Sequence, residues 1–191
     1  MKPTFLIFTL FSTLVFAQST IAPYSPAGSD RWGYINEKGD VIIEATYHGT
    51  FDFSEDGLAP VFDDKTDKWS YINKGGVALN INLKAYEPHS IMGFGRKGFN
   101  DGFAVIMSNK LLGVINNKGE IVHEAKYNFI SDFDNGTATA KIGKEFFILT
   151  GNGKSSSVAN VVEVKSFNEG LAPYRAMDKL YGFIGTNGEI V

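Results

Sequence analysis

From Trp32 to Val191 the chain alternates apolar and polar positions in short runs, each punctuated by glycine. In WGYIN (32–36), Trp32 and Tyr34 fall on one side and Gly33 and Ile35 on the other, the period of two that a strand requires. The next residues, Asn-Glu-Lys-Gly, predict a short hairpin loop closed by a residue at positive φ, where glycine has no Cβ penalty. Asn36, Asn73 and Asn116 open such loops, and an Asn side chain there can bond the backbone two residues on. A second strand follows, Val41-Ile42-Ile43 or Ile121-Val122.

The phrase recurs. WGYINEKGDVI (32–42) is followed by WSYINKGGVAL (69–79), LGVINNKGEIV (112–122), FFILTGNGKSS (146–156) and YGFIGTNGEIV (181–191). The turn glycines, Gly39, Gly76, Gly119, Gly153 and Gly188, are spaced by 37, 43, 34 and 35 residues. A second phrase interleaves with it, an aromatic followed by polar residues and Gly-x-Ala, with the pairs Gly57/Ala59, Gly102/Ala104, Gly136/Ala138 and Gly170/Ala172. Its polar residues and glycine predict a second turn leading into a further strand, with the alanine where neighbouring units approach closely. Pro60 and Pro173 lack an amide donor, which predicts strand edges or ends for them.

Two or three short strands cannot bury a core alone, but stacked neighbours can. The expected fold is therefore all-β: a tandem array of stacked β-hairpin repeats, open and solenoid-like, or alternatively closed like a propeller. Units begin near residues 32, 69, 112, 146 and 181, the last incomplete, and the aromatics heading each phrase are expected to form the shared core.

In these two phrases the chain resembles the WG-repeat family, whose unit reads roughly W-G-[YF]-I-[ND]-x-x-G-x-[VI]-[VI], an extended stretch, then F-x-[ED]-G-[LR]-A. Residues 32–61 match nearly throughout, including Glu44-Ala45-Thr46-Tyr47, which recurs as Glu124-Ala125-Lys126-Tyr127. The resemblance runs from Trp32 to Val191 and implies a bacterial β-repeat array used for interactions, with no catalytic residues assigned. The chain departs from the pattern at Ser70 and Phe147, which replace the WG glycine, and at the polar insertion Lys154-Ser155-Ser156-Ser157.

The N-terminus has a different character. Lys2 precedes an uncharged apolar run from Phe5 to Phe16, and Val15-Phe16-Ala17 reads as a cleavage site. The run is shorter than the roughly 20 residues that span a bilayer as a helix, so residues 1–17 are expected to be a secretory signal peptide. Residues 18–31 are expected to link it to the repeat domain, 32–191. The chain has no cysteine, hence no disulfides and no lipid-carrying cysteine, which fits a periplasmic or secreted bacterial protein held together by packing. A net charge of −3 with scattered Lys and Arg gives no electrostatic footprint for nucleic acid.

Candidate chemistry is sparse. Residues 93–98 (GFGRKG) fit the dinucleotide fingerprint formally, but a repeat turn follows where a helix should begin. Gly153-Lys154-Ser155 imitates the end of a P-loop, with Ile148 where that loop needs glycine. His48, His89 and His123 lack metal-ligand spacing, and Asp63, Asp64 and Asp67 lack the glycine and terminal Glu of a calcium loop. Asn135-Gly136-Thr137 is a formal glycosylation acceptor inside a repeat turn. The 16 Phe, 8 Tyr and 2 Trp are expected in the core, although some rings would suit a groove for sugars or peptides.

No catalytic, cofactor-binding or metal residues are therefore assigned, and no cofactor is expected. The expected function is an exported, non-catalytic repeat protein that presents a binding surface to a protein or cell-envelope component. Two alternatives remain, an accessory part of a larger enzyme and a glycan or peptide hydrolase.

Overall fold

The computed structural model describes residues 20–80, 86–91 and 95–191; the expected signal peptide, residues 1–17, lies outside them. The described residues are all β, arranged in small antiparallel sheets with no helix and no closed barrel.

The first sheet holds β1 (Ile21–Tyr24), β2 (Trp32–Asn36) and β3 (Val41–Tyr47), and the second β4 (Gly49–Thr50), β5 (Leu58–Asp63) and β6 (Lys68–Asn73). The third is joined from β7 (Glu87–Pro88), β10 (Phe99–Asn100), β11 (Phe103–Ser108), β12 (Leu111–Asn116) and β13 (Ile121–Tyr127), beside a small ladder of β8 (Ser90–Ile91) and β9 (Gly95–Arg96). The fourth is β14 (Phe129–Ile130), β15 (Thr137–Ile142), β16 (Glu145–Thr150) and β17 (Ser155–Val158). The fifth is β18 (Val161–Val164), β19 (Leu171–Ala176) and β20 (Tyr181–Gly185).

Four apolar clusters hold consecutive sheets together. Each of the four sits at one junction. Tyr34 and Ile43 of the first sheet pack on Ala59, Val61 and Ile72 of the second. Leu58 and Tyr71, on the opposite face of the second, pack on Ala104, Ile106 and Ile115 of the third. Val105, Leu112 and Val114 then meet Ala138, Ala140 and Leu149, and Phe146 and Ile148 meet Ala172 and Ile184. Each junction sets the WG-phrase strand of one sheet against the alanine of the next, which lets the backbones approach.

The register repeats with it. Ala59 faces Ile72, Ala104 faces Ile115, Ala138 faces Leu149 and Ala172 faces Ile184 across their hairpins. Ala22 faces Ile35 in the same way. Residues 21–24 were expected within a linker, but they form β1, the alanine strand of the first sheet. Their sequence IAPY matches LAPY at 171–174 without the preceding glycine turn.

The sheets are also sewn together by the extended stretch. Residues 41–50 pair first with β2 and then, as β4, with β5 of the next sheet; residues 121–130 pair with β12 and then, as β14, with β15. The Lys154–Ser157 insertion does the same work, since β17 pairs regularly with β16 before β18 joins β19.

The WG glycine has a steric cause. A Cβ on Gly33 would lie 2.3 Å from the Ile43 carbonyl oxygen, and one on Gly113 would lie 2.7 Å from that of His123. Both glycines face irregular register in β3 and β13, the strands built from E-A-x-Y. Where Phe147 replaces the glycine, the partner strand β17 is regular, which removes the need.

Three expectations are corrected. The heads of the phrases hold equivalent register positions, Phe62↔Trp69, Met107↔Leu112, Lys141↔Phe146 and Arg175↔Tyr181, but not equivalent burial. Leu112 and Phe146 are buried, whereas Trp32 is 40% exposed at the rim of a junction that buries Tyr34, and Tyr181 is 78% exposed on a face that no described sheet covers. Pro60 and Pro173 lie inside β5 and β19, not at their ends; β4 stops at Thr50, before it would need a donor from Pro60. Ser155 to Val158 is strand, not an interruption.

All five hairpin glycines and all four Gly-x-Ala glycines have positive φ. Gly39, with φ of 83° and open space at its Cβ position, is strained on substitution by backbone alone, whereas Gly33 is blocked by a carbonyl. Gly39→Ala should cost about 1–2 kcal/mol from left-handed strain. Gly33→Ala should cost about 1–3 kcal/mol or more, because the neighbouring strand must move. Thermal denaturation should place Gly33→Ala below Gly39→Ala; the reverse order refutes the carbonyl contact as the reason for glycine at 33.

Candidate functional site

The hairpin loops form one edge of the array, and their geometry is fixed by side chains. Asn36 Oδ1 accepts from the amides of Lys38 and Asp40, both at 2.9 Å, and Asn116 Oδ1 from those of Lys118 and Glu120, both at 3.0 Å. Asn73 does the same for Gly75 and Val77. This is the Asn-opened loop expected from the sequence.

Carboxylates in the Gly-x-Ala turns tie one unit to the next. Asp56 Oδ1 accepts from the Gly102 amide at 3.0 Å, Asp101 from the Gly136 amide, and Asp134 Oδ2 from the Gly170 amide at 3.3 Å. The same glycines bind the hairpin loop of their own sheet, with Asn117 N–H donating to the Gly102 carbonyl at 3.0 Å and Gly151 N–H to that of Gly136 at 2.8 Å. A hydrogen-bonded ladder thus runs along the turn edge. No role was assigned to these acids from the sequence; their place one or two residues before Gly57, Gly102 and Gly136 was the legible signal.

Where the fourth and fifth units meet, three turns enclose a groove of about 450 Å³, lined by residues 135–137, 150–152, Thr186 and Asn187. Every lining side chain is an uncharged amide or hydroxyl, or the residue is glycine. Such a lining offers donors and acceptors without charge, and it suits a neutral polar ligand. Asn135, of the formal glycosylation acceptor, sits in the tight turn with φ of 48°.

The other sequence candidates are dispersed. His48 is exposed, with Nδ1 3.9 Å from Asp64 Oδ2. Asp64 binds the Arg31 guanidinium, which holds its carboxyl below the usual range. Asp63 accepts from the Lys65 amide and Thr66 hydroxyl, and Asp67 has positive φ, so the acidic cluster is the β5–β6 hairpin loop. His89 donates its backbone amide to the Val105 carbonyl at 3.0 Å. Among the described residues no group of three or more His, Asp or Glu side chains is placed to hold a metal. Of residues 93–98, Gly93 and Phe94 lie outside the described residues, and β10 follows Gly98 where a fingerprint needs a helix. Gly153 closes the β16–β17 hairpin. Tyr34, Tyr71, Tyr127, Phe99, Phe133, Phe146 and Phe167 are buried, whereas Trp32, Phe129, Tyr181 and Phe183 are exposed, so the rings divide between core and surface.

Comparison with known proteins identifies the repeating unit. The family model described as WG containing repeat matches residues 32–69 and 113–146. The chain carries WG repeats. The two matched segments begin at the first and third WG-phrase strands, the two that keep both the blocked glycine and E-A-x-Y. No curated protein matches the chain. Five solved chains match. One is the crystal structure of the computationally designed Ika8 protein, at 12% identity and a TM-score of 0.46, covering 91% of this chain and 58% of that one. The WG-repeat chain therefore spans less than two thirds of that protein's length.

One buried ionisable group links the turn edge to stability. His123 is 5% exposed, and its Nε2 lies 2.9 Å from the Thr150 carbonyl oxygen, so Nε2 carries the donated proton. Burial pushes its pKa below the ordinary 6.5. The unfolded chain then takes up the proton first, so stability is full above about pH 6.5 and falls as the pH drops toward the folded value. Denaturant unfolding from pH 8 to pH 5 should show this loss, and His123→Gln should flatten it; an unchanged profile in the variant refutes the assignment.

The ladder is testable in the same protein. Asp56→Ala should cost about 0.5–1 kcal/mol, the low end for a hydrogen bond because the site is exposed. Amide exchange at Gly102 should quicken in the variant, and unaltered protection there would refute the staple.

Proposed function

We propose that this WG-repeat protein is an exported, non-catalytic binding protein that engages a protein or cell-envelope component along its turn edge. The observation that carries this reading is the edge itself: equivalent hairpin loops, fixed by Asn side chains and tied unit to unit by Asp-to-amide bonds, in register along the array. A repeated edge offers the same polar groups at intervals, which suits an extended partner. The groove between the last two units, uncharged and open, is a concave part of that edge. Export is supported by the charged, apolar and small-residue order of residues 1–17. The carboxylates Asp56, Asp101 and Asp134 hold turns together, which supports a scaffolding use of the acids over a catalytic one.

Binding spread over several units has a measurable signature. Asn117 and Thr186 occupy equivalent exposed loop positions in the third and fifth units. Envelope components retained by the immobilised chain are identified by mass spectrometry, and each is then measured singly against the variants. Asn117→Trp and Thr186→Trp should each weaken binding about threefold to tenfold, and together multiply, as independent sites do. Complete loss from one position with none from the other would overturn the extended-edge reading. Turnover of a glycan or peptide by the purified chain, abolished by one carboxylate change, would replace it with the hydrolase.

A further inference from the structure

The internal junctions of this array are all alike, and among the described residues the first and fifth sheets each present one half of such a junction. In the second sheet, Leu58 and Tyr71 are 7% and 0% exposed because the third sheet covers them. The fifth sheet repeats this face in the same register: Pro60↔Tyr71 becomes Pro173↔Phe183, and Arg175 pairs with Tyr181. Here the face is uncovered, with Leu171 39%, Phe183 49% and Tyr181 78% exposed and Pro173 exposed. A cavity of about 150 Å³ opens beside Pro173 and Tyr181, edged by Glu163 and Arg175.

The first sheet presents the other half. Its Ala22↔Ile35 pair holds the register of Ala59↔Ile72 and Ala172↔Ile184, whose members are at most 1% exposed. Ala22 is exposed and Ile35 half-buried, so this alanine face lacks the cover that every other alanine face has.

We propose that the fifth sheet of one copy packs on the first sheet of a second copy, head to tail, reproducing the internal junction between chains. The occupant follows from continuity: all four internal junctions join a WG-phrase face to an alanine face, and the first sheet carries the unused alanine face. The two surfaces differ, so the contact is heterologous, and it extends into a chain of copies or closes into a ring. The association does not depend on what the turn edge binds.

The test uses the chain beginning at Gln18, which carries every strand described, in sedimentation velocity over a range of concentrations. The wild-type chain should self-associate with rising concentration. Phe183→Lys blocks one face and Ala22→Arg the other; both positions are exposed, and Tyr181→Lys gives an independent change on the first face. Each single variant should weaken association by at least about tenfold, since a buried unpaired charge opposes the contact. An equimolar mixture of Phe183→Lys and Ala22→Arg should form a dimer that grows no further, because one variant keeps each intact face. The double variant should stay monomeric even when mixed with itself. A monomeric wild-type chain at every concentration, including one whose own first and fifth sheets close on each other, would overturn the proposal. So would association that survives Ala22→Arg, or a mixture that fails to recover the dimer.

Discussion

The structure depends on one constraint: its inner sheets are apolar on both faces. The second sheet shows it plainly, with Ala59, Val61 and Ile72 on one side and Leu58 and Tyr71 on the other. A sheet of three short strands with two apolar faces has no stable existence in water, and burial of both faces is the dominant favourable term. Stability is therefore a property of junctions and not of units. The alternation of large and small across each junction, Tyr34 or Tyr71 against Ala59 or Ala104, is what lets consecutive sheets meet at close range.

Junctions alone would leave the order of sheets to chance encounters, and the crossing strands remove that freedom. Residues 41–50 and 121–130 begin in one sheet and end in the next, so the first sheet is tethered to the second and the third to the fourth within a few residues. The crossing demands a bend, and the bend brings a carbonyl against the preceding strand at Gly33 and Gly113. The glycine of the WG phrase and the E-A-x-Y stretch are two sides of one contact. That is why both disappear together in the fourth unit, where the crossing runs through a regular β17 and turns at Asn160 with φ of 60°.

Much of this was legible from the chain because the turns carry their own chemistry. Gly39, Gly119 and Gly188 were expected at positive φ and have it, and Asn36, Asn73 and Asn116 open their loops as expected. What was not legible depends on neighbours. IAPY at 21–24 lacks a turn glycine before it, so a search keyed to Gly-x-Ala passed over β1. The period-two pattern marks Trp32 and Tyr34 as sharing a face, but only the packed array shows that Tyr34 is buried while Trp32 remains at the rim. The groove at residues 135–137 and 150–152 is likewise built by three turns that are distant in sequence, and no local pattern announces it.

The division of labour between faces and edge follows from the same constraint. Sheet faces are committed to burial, so they cannot vary without loss of packing, and core substitutions there cost several times more than changes at exposed loops. The turn edge is held by backbone and by Asn and Asp side chains close to the turn, which leaves the side chains of Glu37, Asn117 and Thr186 exposed at the loop tips. An array built this way separates the residues that keep it folded from those that meet a partner. Recognition can then be altered one loop at a time while the junctions beneath stay unchanged.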